Sequence, residues 1–315
     1  MPIPPALPAG LPPPRTGPPR PLEAGEIDRF VKIALDEDRG GGDLTSITAV
    51  PEKARARARL VAKADGVLAG LSVFARAFVL CDRRAQVELL FEDGARFRRG
   101  DVLARIEGQA RALLAAERTA LNFVQRLSGT ATLTARFVDL ARSASAGTGG
   151  EGVRILDTRK TTPGLRLLEK YAVRCGGGEN HRFGLYDEVM VKENHIELAG
   201  RSIEAVLADL RRAVGPNVRI TCEARDAKEA FAAVDGGADV VLLDNMSAAT
   251  LSDLCPALRA RAEERGRKVE LEASGGIDER TIGGIARSGV DRLSIGALTH
   301  SAPALDLSLE LEPIS

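Results

Sequence analysis

Residues 240–276 read VVLLDNMSAATLSDLCPALRARAEERGRKVELEASGG. The apolar run Val240–Leu243 stops at Asp244-Asn245. Ser247 stands where a helix N-cap belongs, and the pattern after it predicts a helix over Ser247–Arg265 that Gly266 ends. A second apolar run, Val269–Leu271, leads into Ser274-Gly275-Gly276. Strand, helix and strand at this spacing are the unit of a parallel α/β structure.

The same texture begins beyond Gly152. Apolar runs at Val153–Leu156, Val189–Val191, Val218–Thr221, Val240–Leu243, Val269–Leu271 and Leu293–Ile295 predict strands. Ser202–Val214, Asp226–Val234, Ser247–Arg265 and Asp278–Ser288 predict helices, with Asp226 a second N-cap and Gly236 and Gly289 as stops. No G-x-G-x-x-G follows a strand, and nearly every strand ends in a polar residue, so a barrel is favoured over a doubly wound sheet. In a barrel the C-terminal strand ends ring the active site. Here they carry Asp157-Thr158-Arg159-Lys160, Lys192, Glu223, Asp244-Asn245, Ser274-Gly275-Gly276 and Gly296.

Those residue types suit a phosphorylated substrate. Cations cluster between Ile155 and Ile196: Arg159, Lys160, Arg166, Lys170, Arg174, His181, Arg182, Lys192 and His195, around Gly176-Gly177-Gly178. Such a group reads as a receptor for a small polyanion. Ser274-Gly275-Gly276 and Gly296 have the form of a phosphate cradle of backbone N–H groups at a helix N-terminus. Glu223 and Asp244, on adjacent strands, suit a hard cation, Mg²⁺, shared with substrate oxygens. Taken singly, each has a bland reading as an ion pair or a tight turn. Together they fit displacement of pyrophosphate from a phosphoribosyl donor, where positioning and charge neutralisation carry the reaction.

The preceding half is a small α+β domain. Ile27, Phe30, Val31, Ala34 and Leu35 predict an amphipathic helix over Glu26–Arg39. Ala54–Ala62 alternates small apolar residues with Arg55, Arg57 and Arg59, the pattern of a half-exposed strand. Leu71–Cys81 reads as a helix, Val87–Phe91 as a strand, and Asp93–Gly108 as a plain hairpin resembling the spacing of biotinyl domains without their lysine. Gln109–Arg126 predicts a helix with Leu113, Leu114, Leu121 and Val124 buried, and Arg118, Asn122 and Gln125 on a solvated face. A second helix over Ser128–Arg142 and a flexible linker over Ser143–Gly152 follow. Met1–Pro21 is crowded with proline and has no signal-peptide pattern.

Composition excludes several classes. Acidic and basic residues balance at 44 each, so no global field favours nucleic acid or a membrane surface. Aromatics are 3 % with no Trp, too few for base-stacking platforms. No run approaches the ~18 apolar residues of a spanning helix. The four cysteines form no CxxC pair and read as reduced thiols in a cytoplasm.

Six segments carry a resemblance. ERTALNFVQRLSGTAT (117–132), DTRKTTPGLR (157–166), GGGENHRFGLYDEVMVKENH (176–195), CEA (222–224), LLDNM (242–246) and EASGGI (272–277) occur in the order of the quinolinate phosphoribosyltransferase family, which the chain resembles from about Glu26 to its C-terminus. The proline-rich tail (1–24), expected to be disordered from its composition, lies outside the resemblance, which implies an N-terminal α/β sandwich domain (25–128, joined by 299–315) and an incomplete seven-stranded α/β barrel (129–298). In it a last strand near Leu305–Leu311 returns to the first domain. It implies a cytoplasmic enzyme of de novo NAD synthesis that takes quinolinate and phosphoribosyl pyrophosphate to nicotinate mononucleotide, CO₂ and pyrophosphate, with Mg²⁺. Lys160, Lys192, Glu223 and Asp244 match its catalytic residues, Glu223 and Asp244 its metal carboxylates. Arg159, His181, Arg182 and Lys192 match quinolinate contacts, and Ser274, Gly275 and Gly296 the 5-phosphate cradle. It further implies a homodimer or homohexamer in which Arg118 completes the neighbour's site, replacing the solvated-face reading of Arg118. Arg166, Lys170, Arg174 and His195 then fall to structural or surface duty. The competing readings are a related phosphoribosyltransferase-like protein of molybdenum transport and a Schiff-base aldolase using Lys192.

Overall fold

A computed structural model describes residues 19–145 and 152–314. The first eighteen residues of the proline-rich tail, and residues 146–151 of the expected linker, lie outside the described residues.

The chain begins with α1 (Ala24–Arg39), α2 (Leu44–Ala49), β1 (Arg55–Ala62), β2 (Gly66–Val67), α3 (Leu71–Cys81), β3 (Gln86–Leu89), β4 (Arg96–Phe97), β5 (Val102–Gln109) and α4 (Ala110–Ser145). The alternation in β1 is realised. Ala56, Ala58 and Leu60 are buried, while Arg55 and Arg57 pair with Glu107 at 3.1 and 3.0 Å and Arg59 with Glu310 at 3.2 Å. The buried face joins Phe30 and Val31 of α1, Phe74 and Phe78 of α3, and Leu113, Leu121 and Val124 of α4 in one core. Leu114, expected inside, is 36 % exposed. The hairpin expected over 93–108 does not form, because β4 pairs with β2 and β5 lies between β1 and β3.

Two helices expected over 109–142 are one, α4, of 36 residues, and it includes Ser143–Ser145 of the expected linker. Ser128 and Gly129 do not break it. Ser128 Oγ accepts from Ala69 N–H at 3.1 Å and Thr132 Oγ1 from Val67 N–H at 2.9 Å. A Cβ on Gly129 would lie 1.9 Å from the Pro303 carbonyl oxygen. The polar residues of LSGTAT thus serve close packing.

The second half runs β6 (Arg154–Leu156), α5 (Arg166–Cys175), β7 (Val189–Val191), α6 (Glu193–Ala199), α7 (Ile203–Val214), β8 (Ile220–Ala224), α8 (Ala227–Gly236), β9 (Val240–Asp244), α9 (Ala248–Glu264), β10 (Glu270–Ser274), α10 (Ile282–Ala286), β11 (Arg292–Ser294), α11 (Ala297–His300) and β12 (Leu307–Ile314). Asp226 and Ser247 cap α8 and α9 through Glu229 N–H and Thr250 N–H. The short α5 and α6 were missed in a segment dominated by charge, although Leu167, Leu168, Tyr171, Ala172 and Cys175 give α5 a helical apolar face.

Six parallel strands form one sheet in the order β6-β11-β10-β9-β8-β7. Each strand from β7 to β10 pairs with its successor, and β11 pairs with β6. The ring is therefore interrupted only between β6 and β7, which is an incomplete barrel. Six strands form rather than the expected seven. At the open edge of β6 a single parallel bridge, Leu156 to Glu179, stands in place of a strand. β12 returns to β1 as an antiparallel partner over Leu307–Ile314, in the four-stranded sheet β12-β1-β5-β3.

Over the described residues the chain forms two compact units. One comprises Arg136–Ser145, Gly152–Lys160 and Gly178–Gly296, the other Pro19–Ala135, Thr161–Gly177 and Ala297–Ile314. The division falls between Ala135 and Arg136, inside α4, the same helix that holds the 128/129 boundary placed from sequence. No helix among the described residues is long and apolar enough to cross a membrane. All four cysteines are free.

Candidate active site

The register of the parallel sheet sorts its side chains. Residues paired across strands share a face, and residues two apart along a strand do too. One face carries Ile155, Leu293, Leu271, Ala273, Val241, Leu243, Cys222 and Val191, all buried and apolar. The other carries Arg154, Arg292, Ser294, Glu270, Glu272, Ser274, Asp244, Thr221 and Glu223. The polar face belongs to the inside of the ring, and its C-terminal end collects the expected site.

Lys192 follows β7 one step beyond the Val191–Cys222 pair, opposite Glu223 on β8. Their ammonium and carboxylate are ion-paired. Asp244 ends β9 beside Ser274. Burial, reinforced by the nearby Glu223 carboxylate, raises the Asp244 acid above its ordinary value, while Lys192 and Lys160 pull it the other way. Lys160, Lys192, Glu223 and Asp244, from four separate strand ends, therefore form one electrostatic cluster. Lys192 is half exposed and carboxylate-paired, unlike the desolvated amine a Schiff-base lysine needs.

Asp157 ends β6 fully buried and organises the 179–182 segment. Its carboxylate accepts from Asn180 Nδ2 at 2.5 Å and from His181 N–H at 2.9 Å. His181 Nδ1 accepts the Arg182 N–H at 2.7 Å, and Arg182 Nη1 donates to the Glu188 carbonyl at 3.2 Å. His181 and Arg182 are both buried, and Arg159 is exposed on the loop after β6.

The glycine cradle departs from expectation in one respect. No helix starts at Asp278, since α10 begins at Ile282 and has five residues. Asp278 instead closes a turn, accepting from Arg280 N–H and Thr281 N–H at 2.9 Å each. Anion-binding capacity at 274–276 must come from loop N–H groups. Gly275 has φ +90°, and a Cβ there would sit 3.0 Å from the Asn245 backbone. Asn245, itself at φ 57°, donates its N–H to the Ser274 carbonyl at 2.8 Å, so the loops after β9 and β10 interlock. Gly296 follows β11 at the same end of the sheet.

Arg118 is exposed on α4, in the other compact unit. Of its expected polar-face companions, Gln125 donates to the Leu307 carbonyl at 2.7 Å and is structural. Lys170 and Arg174 of α5 are buried, Arg166 donates to Thr161 Oγ1, and His195 accepts the Lys192 N–H at 2.9 Å, all structural duties. Sequence reading missed Asp157 as an anchor, and it missed Asn180, Glu188, Glu270, Glu272 and Arg292. The alternation Val269-Glu270-Leu271-Glu272-Ala273-Ser274 carried a signal, a strand with charges on one face, that a buried parallel strand is not expected to show.

The family models place the decisive evidence. The C-terminal domain model of quinolinate phosphoribosyl transferase matches residues 130–310, and the N-terminal domain model matches residues 43–128. The chain belongs to the quinolinate phosphoribosyltransferase family. Among its relatives, a Bacillus subtilis protein named probable carboxylating nicotinate-nucleotide pyrophosphorylase is 42 % identical over 288 residues, covering 91 % of this chain and 93 % of that protein. A chloroplastic carboxylating nicotinate-nucleotide pyrophosphorylase of Oryza sativa is 38 % identical, covering 91 % and 78 %. The crystal structure of NadC from Streptococcus pyogenes superposes with a TM-score of 0.85 at 38 % identity, covering 94 % of this chain and all of that one. Membership in the quinolinate phosphoribosyltransferase family agrees with the mixed α/β fold and leaves no support for the aldolase or molybdenum-transport readings.

Proposed function

We infer that this chain transfers a phosphoribosyl group from phosphoribosyl pyrophosphate to quinolinate and decarboxylates the adduct, a step of de novo NAD synthesis. The observation that carries this reading is the cluster of Lys160, Lys192, Glu223 and Asp244 at one end of the parallel sheet, next to the Ser274–Gly276 loop. The quinolinate nitrogen attacks the anomeric carbon while the bond to pyrophosphate breaks, and pyrophosphate leaves with the electron pair. The ribosylated ring is cationic. It accepts the electrons released as the bond to the 2-carboxylate breaks, CO₂ departs, and the ring carbon takes up a proton.

In this reading Lys160 faces the donor, while Arg159, His181, Arg182 and Lys192 hold the dicarboxylate. Ser274, Gly275 and Gly296 hold the 5-phosphate. Glu223 and Asp244 suit Mg²⁺. They supply two carboxylates, and no group of three or more metal-ligating side chains exists among the described residues, so most of the coordination would fall to substrate oxygens and water. When bound, the ion would neutralise departing pyrophosphate. Arg118 would complete the site of a neighbouring subunit in a homodimer or larger assembly. Free thiols suit a reducing cytoplasm.

Purified protein given Mg²⁺, phosphoribosyl pyrophosphate and quinolinate labelled at the 2-carboxylate should release labelled CO₂ and leave nicotinate unreacted. Turnover of nicotinate in place of quinolinate overturns the reading.

A further inference from the structure

Glu272 stands inside the ring on β10 with no exposed side-chain area. Three groups converge on it. Arg292 Nε lies 2.7 Å from Oε2 and His181 Nε2 lies 3.3 Å from Oε1, both within ion-pair distance although neither contact has hydrogen-bond geometry, and the Ser294 hydroxyl is the third group. Burial by itself would raise this acid. The groups facing it, Arg292 among them, act in the opposite direction and hold Glu272 below its ordinary value. Arg292 is buried too, with Glu270 as its second carboxylate at 3.2 Å.

The two ring nitrogens of His181 are not equivalent. Nδ1 accepts the Arg182 N–H at 2.7 Å, so a lone pair occupies Nδ1 and the ring proton sits on Nε2. Nε2 faces Glu272. The backbone of the same residue is pinned separately, through its N–H to Asp157. The ring is thus oriented from one side by a carboxylate and from the other by the amide of the next residue, which is itself a proposed substrate contact.

We propose that Glu272 is a positioning residue: it holds His181 in the Nε2–H tautomer and, through Nδ1, sets the Arg182 backbone that follows, while Arg292 keeps Glu272 an acceptor. The catalytic consequence rests on the functional reading above, and the tautomer does not. The substitution that separates this role from mere packing is Glu272→Gln. A guanidinium only donates, so Arg292 takes the amide oxygen and turns the NH₂ group toward His181 Nε2. Two donors then oppose each other, and the ring must change tautomer or swing away.

The chain has three histidines, which makes ring-¹⁵N NMR on the full-length protein tractable, with His181→Asn assigning the signal. Wild-type protein should show the Nε2–H tautomer at His181. Glu272→Gln should abolish that signature and raise KM for quinolinate about tenfold, the scale of one lost charge-assisted hydrogen bond, with KM for the phosphoribosyl donor within about twofold. Glu272→Asp, which keeps the charge, should restore the tautomer. An Nδ1–H tautomer in wild-type protein overturns the proposal without any variant. So does a Glu272→Gln protein whose ring signals are unchanged, or whose two KM values shift equally. Wild-type protein that shows the tautomer but turns over no quinolinate upholds this proposal and sinks the functional reading.

Discussion

Lys192 and Glu223 stand at neighbouring strand ends, β7 and β8, and their side chains are ion-paired at the C-terminal edge of the parallel sheet. Lys192 therefore neutralises one member of a carboxylate pair whose other member, Asp244, has a raised pKa. Removing either side of this balance has consequences of defined sign.

Asp244→Asn should stabilise the fold at neutral pH while weakening the donor and Mg²⁺ dependence more than quinolinate affinity. The raised folded-state acid means the folded protein holds its proton more tightly, so ionisation costs stability. That cost is absent below the ordinary value near 3.8 and grows as pH rises from there through the folded value. The melting-temperature gain of the variant should accordingly shrink from pH 7 toward pH 4. A gain independent of pH would contradict the assignment.

Arg292→Met should destabilise by about 3–5 kcal/mol in urea titration at pH 7, because it leaves Glu272 buried with the Arg292 counter-charge removed. Glu272 has a depressed pKa, so its contribution is present above the ordinary carboxyl value and lost as pH falls through the lower folded value. The gap between wild type and variant should narrow over that acid range.

Gly275→Ala meets a backbone at φ +90° and a Cβ 3.0 Å from Asn245. A cost of about 1–3 kcal/mol is expected from strain alone. The loop should also lose donor affinity more than quinolinate affinity, which separate KM measurements would show. An unchanged donor KM would remove this loop from phosphate binding.

Arg118→Ala and Lys192→Ala should each be inactive, and a mixture refolded together should regain part of the activity. Recovery requires one intact site per mixed dimer. No recovery would confine Arg118 to its own chain.

Much of the site was legible because parallel α/β architecture converts a one-dimensional pattern into a place. Each apolar run that stops at a charged or glycine residue delivers that residue to one end of a sheet. Asp157, Lys192, Glu223, Asp244 and Ser274 needed no knowledge of strand order to be grouped. Helix boundaries marked by capping side chains, at Asp226 and Ser247, were equally readable, since an N-cap is a local hydrogen bond. The α4 helix was not. Ser128-Gly129 looks like a break on propensity, and only the approach of the 303 backbone explains why it continues.

By itself, then, the sequence determined the strand-helix repeat, the residues at the strand ends and the family, all of which follow from local periodicity and short motifs. Tertiary structure alone decided which charges lie inside the ring. The roles of Arg154, Glu270, Glu272 and Arg292 emerge only when the register pairs Glu272 with Arg292 and the first strand with the last. Pairing register is a long-range property, set by hydrogen bonds between strands far apart in the chain, and with it came the carboxylate behind His181.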